Sequence, residues 1–338
     1  MQLLKNNIVN LAIAIVFFFS AWLAGNLGAY DQQNIKDDII WYHAYAPALF
    51  LKKDLKLDFY RDSTSYYADR GMYWAVSQEN GNPVIKGTCG QEIMYLPFTC
   101  WVFMYYAGEN VTGYEIPFSS AICISSLVYF LLSLILLKKI LEHFSFSKKS
   151  IALTVIFIGM GTNLISFTTA CLGTAHTNDF FLATCLMYLL IKWFDAPKIK
   201  YSILIGISFG LLVLIRPTNI LYGFLILLYG VTGGNSFKNH GKFLLAQAKH
   251  LAIMAVFVFL IFLPQLFYWK YATGYWIYYS YVDERFFFSS PHVIDYIFGF
   301  RKGWLIYSPL LILALAGLFL GTGKKNVFFM PAVTIISL

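Results

Sequence analysis

The chain has 338 residues, of which 59% are hydrophobic, 19% aromatic and only 12% charged, and its mean hydropathy is +0.63. A soluble domain is about 45–50% apolar and about 25% charged, so the interior of a soluble chain this size cannot hide so much apolar surface; disorder needs the opposite composition, and five cysteines are too few for a disulfide scaffold. The net charge of +8 does not indicate nucleic acid, because the lysines fall in short clusters between apolar runs, as topology signals do in an integral membrane protein.

The first run, Ile8–Gly28, follows a lone Lys5. It is long for a signal-peptide core and many further runs follow, so an uncleaved first helix is expected. Further spans are expected at Ile116–Leu137, Ile151–Phe167, Asn178–Phe194, Tyr201–Ile215, Thr218–Val231, His250–Tyr268 and Gly303–Leu320. The last run, Val327–Leu338, rises about 18 Å as a helix against a hydrocarbon core of roughly 30 Å. The sequence is therefore expected to end within its ninth span, as a truncated chain would. The expected architecture is all-α: one polytopic transmembrane bundle over residues 1–338, with about nine spans.

Two segments are ambiguous by length: Gly90–Gly108, and the stretch interrupted by "RPTN" at 216–219. Placing the first in the interface and the second at an outer turn puts thirteen lysines on one side, from Lys5 through Lys138 and Lys139 to Lys324 and Lys325. Only two acids, Glu142 and Asp195, share that side, and all five arginines fall on the other. By the positive-inside rule the lysine side is cytoplasmic. Two long outer segments result, 29–115 and 269–302, and segments of that length are usually functional.

The outer segments carry the chemistry. Asp37 and Asp38 follow a membrane exit, and Trp41, Tyr42, Tyr45, Leu49 and Phe50 continue at near-helical spacing, as in a helix lying in the interface. The acidic pair is also readable as a plain charge feature of a helix N-terminus. "KGTCGQEIMYLPF" places Lys86 and two glycines before the next helix, where backbone N–H groups can meet an anion; a simple turn is the other reading. His176 and Asp179 open the fourth span, where an acid must be paired, hydrated or functional, or serve as a cap. Arg216 lies at a turn between two short spans. Such a turn is sunk below the surface, so the arginine needs an anionic partner, either a carboxylate or a lipid phosphate. Asp283, Glu284, Arg285, Arg301 and Lys302 lie among aromatics in the late loop, where Arg301 and Lys302 could seat a phosphate with its lipid tail. The six histidines are scattered, and zinc spacings, a nucleophile elbow, a Walker loop and a Rossmann fingerprint are all missing from the sequence. The five cysteines are read as free thiols.

In this order the elements resemble the C-type (GT-C) superfamily of integral-membrane glycosyltransferases. That group includes the polyprenyl-phosphate-sugar-dependent protein mannosyltransferases and the lipid A aminoarabinose transferases (glycosyltransferase family 39-like). "DDIIWYHAYAPALF" resembles the family's D-E-x-x-x-Y stretch, with Asp38 in place of Glu. "KGTCGQEIMYLPF" resembles its K-Y-P-P-G segment, with Gly87-Thr88-Cys89 replacing Tyr-Pro-Pro. "HTNDFF" resembles the stretch that holds a second outer acid, and "LIRPTN" and "FRKGWLIYSP" are similar to bacterial members.

The resemblance implies a multi-pass protein of the bacterial inner membrane, N-terminus cytoplasmic, with an extracytoplasmic site serving the cell envelope. Its donor is a polyprenyl-phosphate sugar and its acceptor a hydroxyl on a glycan, lipid or protein. The implied catalytic residues are Asp37, Asp38 and Asp179. Lys86, Arg216, Arg301 and Lys302 would bind the donor phosphate, and Tyr42, His176, Asp283, Glu284 and Arg285 would line the substrate. No cofactor is implied with certainty. Metal dependence varies in the superfamily, and a divalent ion would fall to Asp37 and Asp179. The competing class is a transporter or flippase, or a non-catalytic envelope-polysaccharide assembly protein. Against a transporter stand the missing repeat halves and the lack of charges in mid-span.

Overall fold

The structure is a computed structural model that describes residues 2–61, 75–77, 81–281, 290, 292–301, 303–320 and 327–337. It is 72% helical with almost no strand. The first helix, α1 (Gln2–Asn26), is followed by a long excursion. That excursion holds α2 (Asp38–Tyr42), a π-turn (Pro47–Leu51), a hairpin of β1 (Ala75–Ser77) with β2 (Pro83–Ile85), and α3 (Gly90–Tyr105). The hairpin is antiparallel, with Val76 opposite Val84.

The bundle continues with α4 (Ile116–His143), α5 (Lys148–Gly161), α6 (Leu164–Phe167), α7 (Ala175–Asp195) and α8 (Ile199–Ile215). A 3₁₀ segment (Pro217–Gly223) leads into α9 (Phe224–Leu227), α10 (Gly234–Ala246) and α11 (Ala248–Thr273). After it come the short α12 (Val293–Phe298) and α13 (Trp304–Tyr307), then α14 (Leu311–Leu320) and α15 (Phe329–Ser337).

Neighbouring helices pack in a row: α5 on α1, α1 on α4, α4 on α7, α7 on α8 and α8 on α11. Local chemistry sets several ends. Ser147 caps α5 by accepting from Ser150 N–H at 3.1 Å, satisfying an orphan donor. Gly274 closes α11 in the left-handed region, where a missing Cβ removes the steric penalty. The α8–α11 crossing uses Gly206 and Gly210. A Cβ at Gly206 would lie 2.6 Å from the Met254 carbonyl oxygen, and one at Gly210 would lie 3.2 Å from Val258 Cα. A small-x-x-x-small stripe lets backbones approach this closely.

Among the described residues, three helices are long and apolar enough to cross a membrane: Asn7–Asn26, Ile116–His143 and Ala248–Thr273. Their outward faces are apolar, with Phe18 67% and Phe259 58% exposed. Such surface suits lipid and not water, so the chain is an integral membrane protein.

Among the described residues, the nine expected spans are not confirmed. The expected span 151–167 is broken at Thr162 and Asn163 between α5 and α6. The expected span 218–231 is a 3₁₀ segment followed by one turn of α-helix, because Pro217 cannot continue α8. The expected span 303–320 is interrupted at Ser308 and Pro309. The interfacial helix expected over 37–50 is also corrected. It is split after Tyr42, and Trp41, Tyr42 and Tyr45 are buried in the protein while Leu49 and Phe50 remain exposed.

The bundle has two chemically distinct ends. His143 lies 3.8 Å from Asp195, and Phe194 packs its ring on His240 and Phe243. These contacts gather the lysine-bearing loops at one end. At the other, the first excursion is pinned over the start of α7 and the finish of α8.

Candidate functional site

Arg216 sits where α8 stops. The residue before a proline is driven out of the helical region, and Arg216 is extended, with φ −142° and ψ 117°. Its guanidinium meets three groups. Nε lies 3.6 Å from Asp179 Oδ2, Nη2 lies 3.3 Å from His176 Nε2, and the Tyr42 hydroxyl is its third neighbour. His176 is stacked on Phe167 with 3.8 Å between ring centroids. Asn219 donates its amide to Asp179 Oδ1 at 3.0 Å and to the Leu212 carbonyl at 2.9 Å. Asp179 is thus oriented from two sides, and it in turn orients Arg216.

Tyr42 is the last residue of α2, and Asp38 is the first. Burial pushes the Tyr42 hydroxyl up to about 12. Arg216 beside it pulls the value down, and the charge of Asp38 pushes it up. The phenol is therefore neutral at neutral pH, and its oxygen accepts from the Arg216 guanidinium. Asp37 precedes α2 with φ 50° and ψ −130°, and Ile39 N–H donates to the Lys36 carbonyl at 3.0 Å. That is the first corner of a type II′ turn, a position dominated by Gly, Asn and Asp. Backbone strain of this kind tends to cluster at functional sites. Both Asp37 and Asp38 are exposed.

The Lys86–Gly90 turn closes the site against the end of α8. Thr88 Oγ1 donates to the Leu214 carbonyl. The Cys89 N–H donates to Gln265 Oε1 at 2.7 Å, and the Tyr45 hydroxyl donates to the Gly87 carbonyl at 2.6 Å. Ser280 caps the Lys86 carbonyl from the late loop. The Lys86 ammonium lies 4.5 Å from the centroid of the Trp41 ring and 5.8 Å from that of Tyr281, within the range of a cation–π attraction. The Trp41 indole N–H is buried with no partner among the described residues.

Gly90 is required here. A Cβ on it would lie 2.6 Å from Ile215 N, in backbone that cannot move aside. Gly90→Ala is expected to cost about 1–3 kcal/mol, as overpacking does, and to separate the Lys86 turn from Arg216. A fall in melting temperature checks it.

Next to this turn a cavity of about 170 Å³ is lined by Tyr45, Leu49, Phe50, Leu96, Pro264 and Tyr268, together with Cys89 of the turn and the buried Glu92. Glu92 belongs to a buried pair. His43 Nδ1 lies 3.1 Å from Glu92 Oε2, and His43 Nε2 lies 3.0 Å from the Gly113 carbonyl. A carbonyl only accepts, so Nε2 carries the proton. Burial pushes the Glu92 carboxyl up while His43 draws it down. The pair ties the residue after Tyr42 to α3 and to the turn before α4.

The structure therefore brings together Tyr42, His176, Asp179 and Arg216 from the sequence-derived set, with Asp38 alongside and Lys86 on the adjoining turn over Trp41. Arg301 is exposed in the turn after α12 and forms no ion pair among the described residues. Asp283, Glu284, Arg285 and Lys302 lie outside the described residues. A divalent ion does not fit the cluster as built. No three His, Cys, Asp or Glu side chains converge among the described residues, and the Asp179 oxygens already face a guanidinium and an amide. Sequence reasoning missed Asn219, Gln265 and the His43–Glu92 pair. Only Asn219 had a legible signal, its place in "RPTN".

No family model matches the chain, and no curated protein matches it in sequence. Among solved structures it is similar to the archaeal oligosaccharyltransferase AglB from Archaeoglobus fulgidus, determined in complex with an inhibitory peptide and a dolichol-phosphate. The TM-score is 0.50 at 13% identity, covering 99% of this chain and 36% of that one. This chain thus spans about a third of that protein's length. At this identity the likeness shows the fold alone.

Proposed function

We propose that the chain is an integral-membrane glycosyltransferase that moves a sugar from a polyprenyl-phosphate donor to an acceptor hydroxyl on the extracytoplasmic face. The observation that carries this reading is that the Lys86–Gly90 turn, which lines a mainly apolar cavity through Cys89, is hydrogen-bonded to the end of α8 that carries Arg216. A lipid phosphate needs that pairing: charge-assisted donors for its head and apolar lining for the chain behind it.

In the proposed reaction the donor phosphate lies between Arg216 and Lys86, with the Tyr42 hydroxyl and the orphan Trp41 N–H as further donors. Asp37, or Asp38 beside it, accepts the proton of the acceptor hydroxyl. The freed oxygen forms a bond to the anomeric carbon. The bond from that carbon to the phosphate oxygen breaks, and the polyprenyl phosphate leaves with the electron pair. The two cations stabilise the charge that builds on it. Asp179 and Asn219 act through Arg216 by holding its guanidinium in place. The lysine-rich end of the bundle faces the cytoplasm in this scheme.

Purified protein, radiolabelled polyprenyl-phosphate sugars and a cell-envelope extract as acceptor test the reading. Transfer of label from at least one donor is expected. No transfer from any of them, together with lipid or solute flux in sealed vesicles, would overturn it in favour of a transporter.

A further inference from the structure

The bundle end away from Arg216 carries more cations than its own acids can use. Segments 138–149, 192–200 and 232–250 contain ten lysines and two acids, Glu142 and Asp195. Both acids are engaged locally, Glu142 with Lys138 and Asp195 with His143, each at 3.8 Å. Lys148 and Lys149 open α5, while Lys198 and Lys200 flank the first residue of α8. A helix N-terminus carries positive partial charge, so these lysines are placed against their own helices. An external negative surface would offset that cost.

Two side chains define a place on this surface. The Lys139 ammonium, from α4, lies 5.8 Å from the centroid of the Tyr188 ring, and that of Lys192, from α7, lies 5.7 Å from it. One half-buried tyrosine between two packed helices is thus flanked by two cations. Close by, α10 packs Phe243 and Leu244 inward and leaves Phe237 and Leu245 exposed beside Lys238 and Lys242. It leads directly into α11, one of the candidate membrane spans. Apolar side chains bordered by lysines, on a helix joined to a span, suit the headgroup boundary of a bilayer.

We propose that this end binds the anionic headgroups of membrane phospholipids, with Lys139, Tyr188 and Lys192 forming the defined site and α10 lying in the interface on the same side. The two ammonium groups hold the phosphodiester, and the tyrosine hydroxyl donates to it. The proposal does not depend on the glycosyltransferase reading.

The test uses the full chain in bilayers of phosphatidylcholine mixed with increasing phosphatidylglycerol, with retained lipid quantified by mass spectrometry after purification. The wild type is expected to retain phosphatidylglycerol selectively. Lys139→Gln/Lys192→Gln should lower that affinity by roughly 25-fold, at roughly fivefold per lysine near an anionic surface. Its melting temperature in pure phosphatidylcholine should match the wild type. Lys148→Gln/Lys149→Gln should keep most of the selectivity. Equal retention of the two lipids by the wild type would overturn the proposal, as would an equal loss in both double variants. A preference for an added oligonucleotide over phosphatidylglycerol would overturn it in favour of a nucleic-acid surface.

Discussion

Arg216→Ala is expected to weaken binding of a polyprenyl phosphate by roughly 10- to 150-fold, which is the loss of a hydrogen-bonded charge contact worth about 1.5–3 kcal/mol. The same change removes the cation 3.6 Å from Asp179, whose side chain is only 15% exposed. A stability loss will accompany the binding loss, because an acid left in a closed site without its partner is costly. The two effects are separable. Asp179→Asn on top of Arg216→Ala removes the stranded charge and should restore part of the melting temperature, while phosphate-lipid affinity stays low. Arg216→Lys keeps the charge but loses the planar fork that meets Asp179 and His176 together, so it should fall between the two. Calorimetric titration with a water-soluble short-chain prenyl phosphate reads the affinity directly. Unchanged affinity in Arg216→Ala would remove the arginine from the donor site.

The second large effect is expected at Asp37. Asp37→Asn should lower sugar transfer by about 10²–10⁴, the usual contribution of a general base, and leave donor affinity and melting temperature near the wild type. The substitution is clean for a backbone reason. Asn tolerates positive φ nearly as well as Asp, so the turn corner at φ 50° survives the change. Asp37→Ala would mix a lost base with a strained corner, and it should also lower the melting temperature. If Asp38 is the base, Asp38→Asn shows the large loss instead. Wild-type turnover in both aspartate variants would end the catalytic assignment.

Much of the candidate site was legible because membrane physics makes rare residues conspicuous. In a chain with 12% charged residues, an arginine between two short apolar runs and an acid at the start of another stand out. Pro217 also announces where the α8 helix must release its last residue. The contact between Arg216 and Asp179 was not legible, because 37 residues separate them and helix rotation decides which side chains face each other. The His43–Glu92 pair shows the same limit. Nothing local distinguishes that histidine from the other five, and its meaning comes from a glutamate 49 residues away and a carbonyl 70 away.

The number of spans is a different kind of difference. Apolar runs report burial in protein or lipid without saying which, so 218–231 reads as a span although its backbone is a 3₁₀ turn and a short helix. The close α8–α11 crossing at Gly206 and Gly210 was written in the sequence as a glycine stripe but passed unread, since a pair of glycines matters only once a partner helix is known. By itself, then, the sequence determined the membrane as the solvent, the helical character, the clustering of thirteen of the lysines in segments without arginine, and the residue types that could meet a phosphate. Those follow from composition and from the energetic cost of charge in lipid. Only the tertiary structure decided that Tyr42, His176, Asp179 and Arg216 share one place, that Asn219 and Asp179 set the arginine's direction, and that an apolar cavity lies beside the adjoining Lys86–Gly90 turn. These are facts of packing between distant segments, and packing is set by the fit of whole surfaces.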